Sequence, residues 1–193
     1  MRTDLYPAAF QDVLGQEWQP VSKPALIGWL VFYGLFLLYA LTDTSGYLIV
    51  DNVNLIVHEA GHLLFGWFGP TLGLWGGTLN ELLVPFLLAL YFAFYRQTTG
   101  VTFAMFFFFE NFLYISVYMA DARAQVLTLV TVGGGDGSEG EHDWFRIFSS
   151  LGLLQHDTEI ASVVKILGWL GMLATVAWLV KRAMVSRSSA VVA

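Results

Sequence analysis

Residues 24 to 42 contain no charged side chain and are dense in Leu, Phe, Trp and Tyr. As an α-helix this run is about 28 Å long at 1.5 Å per residue, close to the hydrocarbon thickness of a bilayer. Such a segment either crosses a membrane or is wholly enclosed by protein. The rest of the chain decides between the two. Of 193 residues 56% are hydrophobic and only 12% charged, against roughly 25% charged in ordinary soluble domains. That supply cannot cover a water-facing surface. The lack of Cys excludes a disulfide scaffold, and the apolar content excludes a disordered chain. The excess of 15 acidic over 9 basic residues speaks against a nucleic-acid binder. The composition predicts an all-α, polytopic membrane helical bundle whose main partner is the lipid bilayer, with no nucleic acid.

Charge and punctuation divide the chain into about five transmembrane helices, at 24–42, 47–68, 79–95, 99–120 and 160–180, plus a short interfacial helix. Residues 1–23 read as an extramembrane tail without the basic start and apolar middle of a signal peptide. Residues 24–182 form the membrane domain, and 183–193 a C-terminal tail. Asp43 ends the first span and Gly69-Pro70 breaks the second. The glycine-rich stretch 71–77 reads as a connection. Thr78-Leu-Asn-Glu81 matches a capping box, so the third helix is expected to start near Leu79, which accounts for Asn80 and Glu81. Gly133 to Gly140 reads as slack with no phosphate-binding spacing, and a gating role for it is an expectation. Asp143 is expected to cap an amphipathic helix from Trp144 to about Leu154. Lys181, Arg182 and Arg187, directly after the last span, favour a cytoplasmic C-terminus.

The sharpest motif is His58-Glu59-Ala60-Gly61-His62. On a helix the i, i+4 spacing sets both imidazoles on one face, one turn apart, so two nitrogens can converge on one Zn2+. Glu59 stands one position round from His58, placed to take a proton from a metal-bound water as general base. A chance match in this composition is expected in about three chains per thousand. Three ionisable side chains inside five residues of a membrane helix are costly unless paired or coordinating.

Zinc at a catalytic site takes a third protein ligand and leaves a position open. His142 is the first choice, at the end of a loop able to fold back. Asp121, at the end of the fourth span, is the alternative third ligand. Glu110, on the same face of that helix and preceded by four phenylalanines, is a further candidate. Asp143 is more simply a helix cap or the partner that orients an imidazole. His156, beside Asp157, reads as interfacial. Four histidines are too few to ligate two irons in the His-rich style, which disfavours such a di-iron site.

A membrane helix carrying His-Glu-x-Gly-His, followed by a glycine-rich re-entry over Asn54 to Gly77, resembles the site-2 protease family of intramembrane zinc metalloproteases. A looser echo runs over Asn111 to Asp121. The resemblance implies His58 and His62 as zinc ligands, Glu59 as the residue that activates water, and an aspartate from a later span as third ligand. Asp121 is followed by Ala122 rather than Gly, which departs from that family's pattern, and His142-Asp143-Trp144 has no counterpart in it. The expected function is a membrane-embedded zinc metallohydrolase, a peptidase acting on a membrane-protein or peptide substrate. The alternatives are a zinc amidase acting on a lipid, and a non-catalytic membrane scaffold or chaperone. The sequence leaves the oligomeric state open.

Overall fold

The computed structural model describes residues 15–127 and 142–192, with side chains to residue 185. Residues 1–14 of the expected tail, the Gly133–Gly140 stretch and the side chain of Arg187 therefore lie outside what is described. Among the described residues there are six helices and no strand. They are α1 (Lys23–Thr42), α2 (Asp51–Gly66), α3 (Pro70–Phe94), α4 (Thr98–Ala120), α5 (Asp143–Leu151) and α6 (Asp157–Val192), with a single 3-10 turn at Leu154–His156. Four helical runs are long and apolar enough to cross a membrane: α1, α3, α4 and Leu154–Val185, which takes in α6 as far as Val185.

The second expected span is not among the four. Helix α2 has 16 residues, about 24 Å at full length, and its polarity is inverted. Asp51, Asn54, His58 and Gly61 form its buried face, while Val53, Ile56, Leu63 and Leu64 are exposed. This is a helix with its apolar side chains outward and its polar groups against protein.

The third helix differs from expectation at its start. Pro70 opens it, behind Gly69 at φ 115, so residues 71–77 are helical and Thr78 to Glu81 sit in the helix interior. The capping-box reading is corrected accordingly. Packing explains why so many glycines stay helical: a Cβ on Gly61 would lie 2.7 Å from the Gly76 carbonyl carbon, and one on Gly76 would lie 2.6 Å from the Gly61 carbonyl oxygen. Helices α2 and α3 meet backbone to backbone, the arrangement that small residues allow in membrane bundles. The energy of that close approach overrides the poor helix propensity of glycine, about 1 kcal/mol per residue.

Two hydrophobic clusters hold the remainder. Tyr33, Phe106, Leu113, Met172 and Leu179 join α1, α4 and α6. Ile115, Met119, Trp144, Ile147, Phe148 and Ala161 join α4, α5 and α6. The second cluster matters for the site, because it seats the short helix α5 inside the bundle. Gly152, at φ 67, ends that helix in the left-handed conformation.

Candidate metal centre

Helix α2 presents His58 and His62 on adjacent turns, and α3 and the α5 segment supply their partners. The His58 Nδ1–H donates to Glu81 Oε1 at 2.9 Å. The His62 Nδ1–H donates to the Gly73 carbonyl at 2.7 Å. A neutral imidazole with its proton on Nδ1 presents its lone pair at Nε2. These Nε2 atoms converge: His58 Nε2 and His62 Nε2 are 3.0 Å apart, and Asp143 Oδ2 is 3.0 Å from each. His58, His62 and Asp143 form the group of three potential metal ligands among the described residues.

Donor atoms around a tetrahedral ion at 2.0–2.1 Å stand about 3.3 to 3.4 Å apart, so a trio at 3.0 Å could hold a metal ion after a small expansion. The donor set, two imidazoles and one carboxylate, suits a divalent cation that keeps an open position. The Glu81–His58 contact has the form of the carboxylate–histidine–metal arrangement that fixes tautomer and ring orientation. Exposure is graded across the trio. The side chains of Glu81 and His58 are 1% and 6% exposed, Asp143 11% and His62 26%, so the centre opens on the His62 side.

The sequence put His142 first and Asp143 last among the candidate third ligands, with Asp143 expected as cap; in the structure His142 is the cap and Asp143 stands beside the two histidines of α2. His142 is the N-cap of α5, its Nδ1 accepting from the Phe145 N–H at 3.2 Å. Its ring lies 4.3 Å, centroid to centroid, from that of Tyr118. Its Nε2 is 3.5 Å from Asp121 Oδ2, long for a hydrogen bond. Burial pushes the His142 imidazole below its ordinary value despite the nearby Asp121 and Asp143 carboxylates. Because His142 takes the cap, the Asp143 carboxylate is free to turn to α2. The Asp143 N–H donates to Tyr118 Oη at 3.1 Å, which pins the segment.

Asp121 is not brought to the histidines of α2. It accepts from the Val126 and Leu127 N–H groups at 2.9 and 3.1 Å and so shapes the turn after α4. Glu110 is wholly buried and accepts from Asn54, not from a histidine. Glu59 is half-buried, and its carboxylate is within electrostatic reach of Tyr114 and Tyr118 on α4. His156 is exposed and pairs with Glu159 at 2.8 Å, as an interfacial residue would.

Sequence reasoning missed Glu81, Gly77 and Tyr118. Glu81 had a usable signal, since it is the one charge between Pro70 and Tyr95. The argument that makes Glu110 suspect applies to it equally. Gly77 leaves the space that the His58 ring occupies, since a Cβ there would overlap Cε1 and Nε2 of the ring. The fold and site define an all-α protein with four helices able to cross a membrane and a buried His58–His62–Asp143 group. No protein-family model, curated protein or solved structure matches the chain.

Proposed function

We propose that this protein is a membrane-embedded zinc-dependent metallohydrolase, similar in its local chemistry to site-2 proteases, that cleaves peptide bonds in or near the bilayer. The observation that carries the reading is the convergence of His58 Nε2, His62 Nε2 and Asp143 Oδ2, each 3.0 Å from the others, with both Nδ1 protons already committed elsewhere. These residues would hold the metal. Bound there, it would supply a Lewis acid for a carbonyl and lower the pKa of water.

The chain's own groups divide the remaining tasks. Glu81 holds His58 in the tautomer that exposes Nε2, and the Gly73 carbonyl does the same for His62. Tyr118 fixes the backbone of Asp143. Glu59, next to His58 in the chain, would accept a proton and return it to a leaving nitrogen. The burial of His58 and Glu81 excludes water from the closed side, which strengthens every charge interaction within.

The test uses the purified protein in proteoliposomes with a fluorogenic transmembrane peptide, comparing wild type with Glu59→Gln. The expected result is cleavage by wild type, and a loss of at least about 100-fold in Glu59→Gln while bound metal is unchanged. A Glu59→Gln protein as active as wild type would refute the role of Glu59 and favour the lipid amidase.

A further inference from the structure

Outside the metal trio the bundle encloses a second polar group that the proposed chemistry does not use. Asn54, one turn before His58 on the same buried face of α2, donates from Nδ2 to two carboxyl groups: Asp51 Oδ1 at 2.9 Å and Glu110 Oε2 at 3.1 Å. Two carboxyls thus share one amide in the interior of a chain with little charge. Both cannot be anions there without a compensating cation. The hydrogen bonds say which one is ionised. Asp51 Oδ1 has the Asn54 donor, and Asp51 Oδ2 accepts from the Leu48 N–H at 2.6 Å, so both of its oxygens are met by N–H groups. Asp51 also sits in the first turn of α2, where the helix dipole favours an anion.

Glu110 is the opposite case. It lies in the middle of α4, is 0% exposed, and its Oε1 has no hydrogen-bond partner. An anion there would leave a charged oxygen bare, whereas a protonated Oε1 leaves only a neutral hydroxyl unpaired, the smaller cost. The charged groups around it reinforce this choice. Asp51 faces it from α2, Glu81 lies within electrostatic reach on α3, and both repel a second negative charge. On α6 the cation of this region, Lys165, lines the cleft with Asp43, Asp51 and Tyr114 and is itself solvent-exposed.

We propose that Glu110 works as an uncharged carboxylic acid that fixes helix α2 against α4, and through α2 positions the His58–His62 pair opposite Asp143. The Asn54–Glu110 bond joins these two helices, and Asn54 is one turn from the first histidine. Glu110 is thus a positioning residue. Its consequence at the metal rests on the metallohydrolase reading, but its protonation does not.

The experiment compares wild type, Glu110→Gln and Glu110→Ala in detergent at neutral pH by infrared difference spectroscopy and by zinc titration. Wild type minus Glu110→Gln should show the carbonyl stretch of a protonated carboxyl, above the amide I band and shifted down in D2O. Glutamine copies the neutral acid, so Glu110→Gln should keep zinc affinity within about twofold and melt no lower than wild type. Glu110→Ala, which strands Asn54, should lose at least about tenfold in affinity. Absence of the band, its disappearance on adding sodium ions, or a Glu110→Gln protein as impaired as Glu110→Ala would overturn the proposal. A wild type that shows the band yet binds no zinc would sink the metal reading and leave the placing of the proton intact.

Discussion

Gly77→Ala probes the close fit between α3 and the first histidine. The substitution adds one methyl group, directed at the His58 ring. That methyl would overlap Cε1 and Nε2 and lie 2.7 Å from Cδ2, so the ring must retreat by on the order of 1 Å, beyond the roughly 0.5 Å tolerance of a working site. Two terms then oppose each other in global stability. Alanine in a helix interior gains about 1 kcal/mol over glycine, and forcing a methyl into a packed contact costs about 1–3 kcal/mol. The net destabilisation is about 0 to 2 kcal/mol, small enough for the bundle to remain folded. Metal binding has no such offset. A displaced His58 leaves both Glu81 and the ligand trio, and the affinity should fall at least about 100-fold, or ~2.7 kcal/mol. Zinc affinity is measured by chelator competition on detergent-purified protein, with thermal melting monitored by circular dichroism as the check on folding. Gly34→Ala, at a glycine with nothing within 4 Å of its would-be Cβ, is the control and should bind zinc normally. A Gly77→Ala protein that is folded and binds zinc as tightly as wild type would refute the placement of His58.

Three other outcomes follow from the same geometry. Glu81→Ala removes the acceptor of the His58 Nδ1–H and should weaken zinc binding about 10- to 100-fold, whereas Glu81→Gln, which keeps an acceptor oxygen, should lose less; equal affinities in chelator competition would count against it. Asp143→Asn should lose zinc almost completely, while His142→Asn, which keeps a capping side chain at the start of α5, should retain it; the reverse ranking in metal analysis would restore His142 as ligand. Because burial lowers the His142 imidazole from its ordinary value, the unfolded state takes up the proton first as pH falls. The stability that the cap contributes is therefore full above about pH 6.5 and declines below it. Melting temperature against pH should show this decline in wild type and less of it in His142→Asn, and identical profiles would refute it.

The sequence made some of this legible and hid the rest for identifiable reasons. Spans expected at 24–42 and 99–120 match Lys23–Thr42 and Thr98–Ala120 to within a residue, because each is an uncharged run bounded by polar residues. The start of α3 was hidden because Gly73, Gly76 and Gly77 signal a loop locally and close helix contact only in three dimensions. That error also concealed Glu81, since a capping-box pattern offered it a harmless role. The pair His58 and His62 was readable from i, i+4 spacing alone. Which residue stands beside them was not, because His142 and Asp143 are neighbours, and which one caps α5 is decided by the backbone at its start. His142 at ψ 107 caps the helix, and Asp143 faces the centre.

Elemental analysis of detergent-purified wild type beside His58→Ala, His62→Ala and Asp143→Ala tests the metal centre most directly. About one equivalent of zinc is expected in wild type, and less than about a tenth in each variant. Wild-type protein without stoichiometric divalent metal, or full metal content in all three variants, would contradict it.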